Sequence, residues 1–251
     1  MTELVLEQVT KSFGGVTAVN ALSLNVSQGQ ITGLIGPNGA GKTTVLNLIT
    51  GIDRPTQGAI RIGGAATTRE KQDTIARRGI SRTFQNIRLL KEASVLSNIV
   101  IGFHRHEQTS LLANLLGFPS VWRERDAFVE QARALLGKFD MLQFADTPAG
   151  ALSYGHQRRV EIMRALAMKP VFLLLDEPVA GMSAVEADAL GRIFAKLASD
   201  GLGLLLIEHN VAFVTRICAT IYVMDAGRLI AAGSPNEVCR DPAVISAYLG
   251  G

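Results

Sequence analysis

Short apolar runs closed by glycines open the chain, helical spacing takes over in its middle, and short apolar runs return towards its end. Leu4-Val5-Leu6-Glu7-Gln8-Val9 and the stretch Ala18 to Val26 predict two strands, parted by a turn at Phe13-Gly14-Gly15. Ile31 to Ile35 predicts a buried strand running into a glycine-rich turn, after which Val45-Leu46-Asn47-Leu48-Ile49-Thr50 has helical spacing and stops at Gly51. Gln57 to Gly64 alternates and ends in paired glycines, the pattern of a hairpin, and Ile80 to Gln85 is a further short strand-like run. From Asn86 the spacing becomes helical. Ser94 to Ile101 predicts a short helix, Leu111 to Leu116 is an apolar patch, and Arg123 to Phe139 places Phe128, Ala132, Leu135, Leu136 and Phe139 on one helical face. No strand signal follows until about residue 168. Val171 to Leu175 is then continuously apolar, as in a parallel strand buried on both faces. A helix (Val185 to Ala198), a strand (Gly203 to Ile207), a helix (Val211 to Cys218) and a strand (Thr220 to Met224) follow, with a hairpin turn at Asp225-Ala226-Gly227. Ser234-Pro235-Asn236-Glu237 is a capping box that opens a helical tail to Leu249.

This order predicts an α/β protein with a mainly parallel core, because strands alternate with helices on both sides of the all-helical block. The chain reads as a single domain, residues 1–251, with its core in 1–87 and 166–251 and a helical subdomain at about 88–165. The 47% hydrophobic and 19% charged fractions belong to a packed globular chain. A net charge of +3 suits an anionic ligand or membrane surface, and with no run of Lys or Arg it does not call for nucleic acid. Cys218 and Cys239 lack metal-ligand spacing and read as free thiols of a reducing compartment. The start Met1-Thr2-Glu3-Leu4 has no basic and apolar leader pattern, so export is not expected. The longest apolar stretches fall far short of the roughly 20 residues of a membrane helix, which leaves any membrane work to a partner.

The turn after Ile35 changes the picture. Gly36, Gly41, Lys42 and Thr43 fill the fixed positions of GxxxxGK[ST] between a strand and a helix. Glycines let the backbone curl so that its N–H groups face an anion, and the new helix points the positive end of its dipole at the same place. Lys42 is placed to reach the β- and γ-phosphates of a nucleotide, and the Thr43 hydroxyl to hold magnesium. The strand Val171 to Leu175 delivers Asp176 and Glu177, a carboxylate for the magnesium shell and a second one to polarise a water. Read without this context, Phe13 is a core residue, Gln85 a solvated loop residue and His209 a satisfied histidine after a buried strand.

One helix before the Asp176 strand stands Leu152-Ser153-Tyr154-Gly155-His156-Gln157-Arg158-Arg159, which resembles the LSGGQ signature of ABC-transporter ATPases. The resemblance runs the length of the chain: Phe13 as the aromatic A-loop, Gly36 to Thr43 as Walker A, Gln85 as the Q-loop, Ser153 to Gln157 as the signature, Asp176 and Glu177 as Walker B, and His209 as the H-loop. It implies a P-loop NTPase core, its parallel sheet flanked by helices, with an antiparallel β subdomain and an inserted α-helical subdomain. It also implies ATP and Mg²⁺ as cofactors. On this resemblance Phe13 stacks on adenine, and Gly36, Asn38, Gly39, Ala40, Gly41, Lys42, Thr43 and Thr44 hold the phosphates. Thr43, Gln85 and Asp176 surround the metal, and Glu177, His209 and Gln85 serve catalysis. Two such ATPases face head to tail, so Ser153, Gly155 and Gln157, on a helix opening at about His156, would meet the nucleotide of a partner.

The implied partners are a second ABC ATPase subunit, identical or a related paralogue, integral-membrane permease subunits and, indirectly, a periplasmic solute-binding protein. No nucleic acid is expected. The implied location is the cytoplasmic face of the bacterial inner membrane. Two residues depart from the common pattern: Tyr154 replaces a signature glycine, and Ser183 stands where the D-loop carries aspartate. The wording around Phe13, Gln85, Leu152 and Ala247-Tyr248-Leu249-Gly250 looks most like the ATPases of importers for branched-chain amino acids, and importers of urea, amides or aromatic acids share it. Other classes fit less well. A soluble ABC ATPase acting on DNA or ribosomes calls for a coiled-coil insertion, a zinc site or tandem ATPase domains. A P-loop kinase leaves the signature unexplained, and a GTPase calls for an NKxD motif.

Overall fold

The computed structural model describes residues 2–83, 87–107 and 119–249. The chain divides into two compact units, Met1–Gln85 with Val171–Gly251, and Asn86–Pro170. Gln85 and the apolar patch Leu111 to Leu116 lie outside the described residues.

The first unit holds two sheets. In the antiparallel one, of order β2-β1-β4-β5, β1 (Glu3–Phe13) and β2 (Val16–Ser27) pair along their length, and β4 (Gln57–Ile62) joins β1 and continues into β5 (Ala65–Ala66). The other has six strands in the order β10-β9-β3-β8-β7-β6. There β3 (Ile31–Ile35), β6 (Ile80–Arg82), β7 (Phe172–Asp176), β8 (Gly203–Ile207) and β9 (Thr220–Asp225) run parallel, and β10 (Arg228–Gly233) returns antiparallel from the turn at Ala226 and Gly227. Every residue of β3, β7 and β8 is buried, which accounts for their mostly apolar sequence, with Thr32 and Asp176 as its polar members. Each buried Leu or Ile contributes about 1.5–3 kcal/mol. These strands are therefore the stiff floor on which polar residues at their C-terminal ends stand.

Helices α1 (Lys42–Thr50), α2 (Gln72–Arg77), α6 (Ala184–Ser199), α7 (Val211–Ile217), α8 (Pro235–Val238) and α9 (Pro242–Leu249) complete this unit. One apolar cluster joins Leu4, Leu6 and Ile60 of the antiparallel sheet to Val45, Leu46 and Ile49 of α1 and to Leu34, Leu174 and Leu205 of the six-stranded sheet. The expected continuous tail to Leu249 is broken in two. Pro242 cannot donate to the turn before it, and the Asp241 carboxylate instead accepts the Ala243 N–H at 2.8 Å, starting a new helix. Both cysteines are free, Cys218 buried and Cys239 exposed.

The second unit is built on α3 (Val95–Ile101), α4 (Pro119–Lys138) and α5 (Tyr154–Ala167). The helical face read from the sequence packs inward, with Ala132, Leu136 and Phe139 fully buried and the Phe128 ring stacked on Phe103 at 5.3 Å. Asn98, wholly buried in α3, accepts from the Leu90 N–H and donates to the carbonyls of Leu90, Ala93 and Ser94, so a polar side chain ties the entry loop without an unmet bond. Among the described residues no helix is long and apolar enough to cross a membrane.

Candidate functional site

The loop between β3 and α1 is shaped by its glycines. Gly36 and Gly41 have φ of 150° and 99°, and a Cβ on either would sit 2.0 Å from the Met224 carbonyl oxygen or 2.3 Å from that of Ala18. No side chain fits at either position, and none can tolerate the φ. Gly41 is also the N-cap of α1 and offers no side-chain cap, so the first-turn N–H groups of the helix are left for a ligand. Lys42 is buried within the loop. Its ammonium donates to the carbonyls of Gly36 at 2.7 Å and Pro37 at 2.8 Å. Burial holds its pKa below the ordinary lysine value, against the opposing pull of the Glu177 and Asp176 carboxylates.

Glu177 follows β7 directly and has φ of 49°, a left-handed backbone that costs a non-glycine residue about 1–2 kcal/mol. The strain is held by a hydrogen bond from its N–H to the Ile207 carbonyl at 2.9 Å, and it turns the side chain towards the end of β8. There the His209 Nε2 lies 2.7 Å from Glu177 Oε1. An ionised carboxylate only accepts, so this contact assigns the proton to Nε2. Glu208, between β8 and His209, is buried, and its two oxygens accept the N–H groups of Val179 at 3.0 Å and His209 at 3.2 Å. Burial pushes its pKa up, and the backbone donors oppose that shift.

A cavity of about 260 Å³ gathers these parts: residues 38–44 of the loop, with Ala18, Glu177, Ile207 and His209. Asn38, Gly39, Ala40, Gly41, Lys42, Thr43, Thr44, Glu177 and His209 thus share one space, and Gly36 meets it only through its carbonyl bond to Lys42. Phe13 stands apart from this lining, at the end of β1. Its ring is 47% exposed, which corrects the core reading of its sequence position, and the Lys11 ammonium lies 4.5 Å from the ring centre. A larger cavity, about 460 Å³, is elsewhere. It lies in the second unit, is lined by Leu96, Val100, Ile101, Val121, Phe128 and Val129 with a few polar groups, and holds none of the residues expected to do chemistry.

Asp176 ends β7 and is nearly inaccessible to water. Arg82 donates to its Oδ2 at 3.0 Å and to Asn47 Oδ1 at 2.7 Å. Sequence reasoning gave Arg82 and Asn47 no role. The arginine closes a short buried strand, where its guanidinium needs an acceptor, and the neighbouring strand supplies Asp176. One hydroxyl (Thr43) and one carboxylate (Asp176), with phosphate oxygens and water for the rest, is a donor set that suits magnesium. Among the described residues no three His, Cys, Asp or Glu side chains gather as an all-protein cage for a different metal.

In the second unit Ser153 caps α5, its hydroxyl accepting the His156 N–H, so the helix opens at Tyr154, two residues before the position read from sequence. Ser153 is exposed, Gly155 lies in the first turn, and Gln157 donates back to the Leu152 carbonyl at 2.8 Å. The Tyr154 hydroxyl lies 3.2 Å from the buried Arg158 guanidinium, which also pairs with Glu161 at 2.7 Å. Ser183, in the first unit, is engaged in a complete capping box with Glu186 at the start of α6.

Residues 19–180 match the sequence profile of the ABC transporter family, and residues 228–251 match that of the branched-chain amino acid ATP-binding cassette transporter. The chain is 42% identical to the high-affinity branched-chain amino acid transport ATP-binding protein BraF of Pseudomonas aeruginosa, over 98% of this chain and 97% of that one. A nucleotide-free ATP-binding cassette from an ABC transporter superposes with a TM-score of 0.87 at 33% identity, covering all of both chains. A bacterial ABC transporter cassette solved as a dimer superposes at 0.79 with 25% identity, over 92% of this chain and 98% of that one. A glycine-lined phosphate loop, an acid pair at the end of a buried strand and a histidine against the second acid thus sit on a backbone shared with solved cassettes, and the chain belongs to the ABC transporter family.

Proposed function

We propose that the chain is the ATP-hydrolysing subunit of a bacterial ABC importer for branched-chain or related amino acids, working at the cytoplasmic face of the inner membrane. The observation that carries this reading is the single cavity onto which Lys42, Thr43, Glu177 and His209 all open. The amino-acid assignment is supported by the likeness to BraF and by the C-terminal match over residues 228–251.

The N–H groups of the loop and of the first turn of α1 hold the phosphates, and Lys42 leaves its two carbonyl partners to meet the terminal ones. The exposed face of Phe13 offers a stacking surface for adenine. Thr43 and Asp176 would hold magnesium, with Gln85 as a third member of its shell. Bound there, the ion neutralises charge on the phosphoryl oxygens. Glu177 accepts the proton of the attacking water, and His209 fixes the orientation of that carboxylate through Nε2.

The exposed Ser153 hydroxyl and the dipole of α5 point to a second requirement, a phosphate supplied by another cassette. The working unit is accordingly a pair of cassettes, and the dimeric relative supports this. The cavity of the helical unit, apolar with Glu107, Glu124 and Arg125 in its lining, is the surface proposed for a permease segment, and a periplasmic binding protein delivers the solute to that permease. Division of the single domain into a core and a helical subdomain would let nucleotide-driven closure reach the membrane subunits.

Sedimentation of the Glu177→Gln protein tests the reading. With Mg-ATP the species should contain two chains, without it one, and Ser153→Arg should stay single in both. A protein that neither binds ATP nor pairs in its presence would refute the proposal.

A further inference from the structure

We propose that Arg82 is a positioning residue for the magnesium site, a role that rests on the nucleotide reading above. Arg82 closes β6, and its guanidinium reaches Asp176 Oδ2 at 3.0 Å with one arm and Asn47 Oδ1 at 2.7 Å with the other. The Arg82 and Asp176 side chains are 7% and 4% exposed, so water hardly competes for either. Asn47 is itself oriented. Its Nδ2 donates to Asp53 Oδ2 at 3.1 Å, and because a carboxylate only accepts, the amide oxygen is the atom left to face Arg82.

Asn47 lies one helical turn beyond Thr43 in α1, so tying Asn47 to Arg82 ties the helix that carries the Thr43 hydroxyl. Asp176 is the last residue of β7, and Gln85 is three residues along the chain from Arg82. One guanidinium thus joins the elements that supply Thr43 and Asp176. It occupies Oδ2 of Asp176, fixes that carboxylate, and leaves Oδ1 for the metal or its water.

A competing effect has the opposite sign. A cation beside a metal ligand repels the metal, so if charge alone mattered, removing Arg82 would strengthen metal binding. The forked geometry argues against this. A point charge would serve beside Asp176 without Asn47, whereas a planar fork with an oriented acceptor on each arm fixes position. Residues that orient a metal ligand change affinity about 10–100-fold when removed.

The test uses the full chain carrying Glu177→Gln so that nucleotide is not consumed. Affinity for a fluorescent ATP analogue is measured in chelator, and Mn²⁺ binding to the nucleotide-loaded protein is read by electron paramagnetic resonance. For Arg82→Met we expect metal-free nucleotide affinity within about twofold of the parent and Mn²⁺ affinity about tenfold or more weaker. Arg82→Lys keeps the charge but cannot reach both acceptors, and Asn47→Leu cuts the tie to α1 alone. Both should weaken Mn²⁺ binding, and they carry the test if Arg82→Met fails to fold by circular dichroism. Equal or tighter Mn²⁺ binding by Arg82→Met, or parent-like binding by Arg82→Lys, overturns the assignment while leaving the nucleotide reading intact. A parent that binds no Mn²⁺ with nucleotide overturns both.

Discussion

His209 Nε2 and Glu177 Oε1 stand 2.7 Å apart at the mouth of the phosphate loop, joining the residues that follow two adjacent parallel strands. The carboxylate is held on a backbone of positive φ, the histidine by its N–H bond to Glu208. Neither side chain is where it is by chance packing: Glu177 is placed by its own strained backbone and His209 by its buried neighbour Glu208. The expected consequence is that Glu177→Gln binds ATP normally and loses turnover by about 10²–10⁴-fold, the contribution of general base catalysis. His209→Ala should lose a comparable share of kcat while Glu177 is still present. Single-turnover ATP hydrolysis with a parallel binding measurement checks both, and a Glu177→Gln protein that retains a normal rate rules out the base role.

Lys42 donates both of its observed hydrogen bonds to carbonyls of its own loop, and burial lowers its pKa. The ammonium is therefore stabilised less well at rest than it would be against phosphate. Lys42→Ala should abolish ATP binding in calorimetry yet leave the thermal midpoint within a few degrees, about 1 kcal/mol or less at this chain length. A large loss of stability would show that the lysine holds the loop together rather than its ligand.

Glu208 gives a pH dependence with a definite sign. Its pKa is raised above the ordinary 4.5 by burial, so between that value and its folded value the native state holds a proton that the unfolded chain has released. This contribution to stability is full below 4.5 and is lost as pH rises through the raised value. Glu208→Gln removes the titration. The stability difference, variant minus parent, should therefore shift in favour of the variant as pH rises across that window. Denaturant midpoints at several pH values measure it, and a difference that stays flat or moves the other way excludes a raised Glu208.

Much of this was legible in the chain itself, for physical reasons. Val171 to Leu175 had to be a buried parallel strand because no polar face alternates through it, and the structure places Phe172–Asp176 there, fully buried. The capping box at Ser234 appears with both of its bonds, since that signal is local. What sequence patterns missed is what tertiary partners decide. Phe13 is exposed at the end of β1, beside the turn at Gly14 and Gly15, which the apolar character of the residue alone does not indicate and the family resemblance did. Arg82 and Asn47 lie far apart in sequence, and only the pairing of β6 with β7 brings the arginine to Asp176. The break at Pro242 was readable from the residue itself, and the capping signal at Ser234 obscured it.

The last prediction concerns the buried pair beneath the signature turn. Arg158 is wholly inaccessible and donates to Glu161 at 2.7 Å, one helical turn along α5, while the Tyr154 hydroxyl lies 3.2 Å from the same guanidinium. Two opposite charges taken from water repay their desolvation only together. Removing one takes from the other its counter-charge at 2.7 Å, at a cost of about 3–5 kcal/mol, whereas replacing both with apolar side chains of similar volume is close to neutral. Arg158→Met and Glu161→Met should each lower the urea midpoint strongly, and the double variant should recover most of the loss. Tyr154→Phe removes one hydroxyl and keeps the ring, and should cost about 1 kcal/mol. A double variant as unstable as either single one would mean that the pair holds α5 in place through specific geometry rather than through mutual neutralisation.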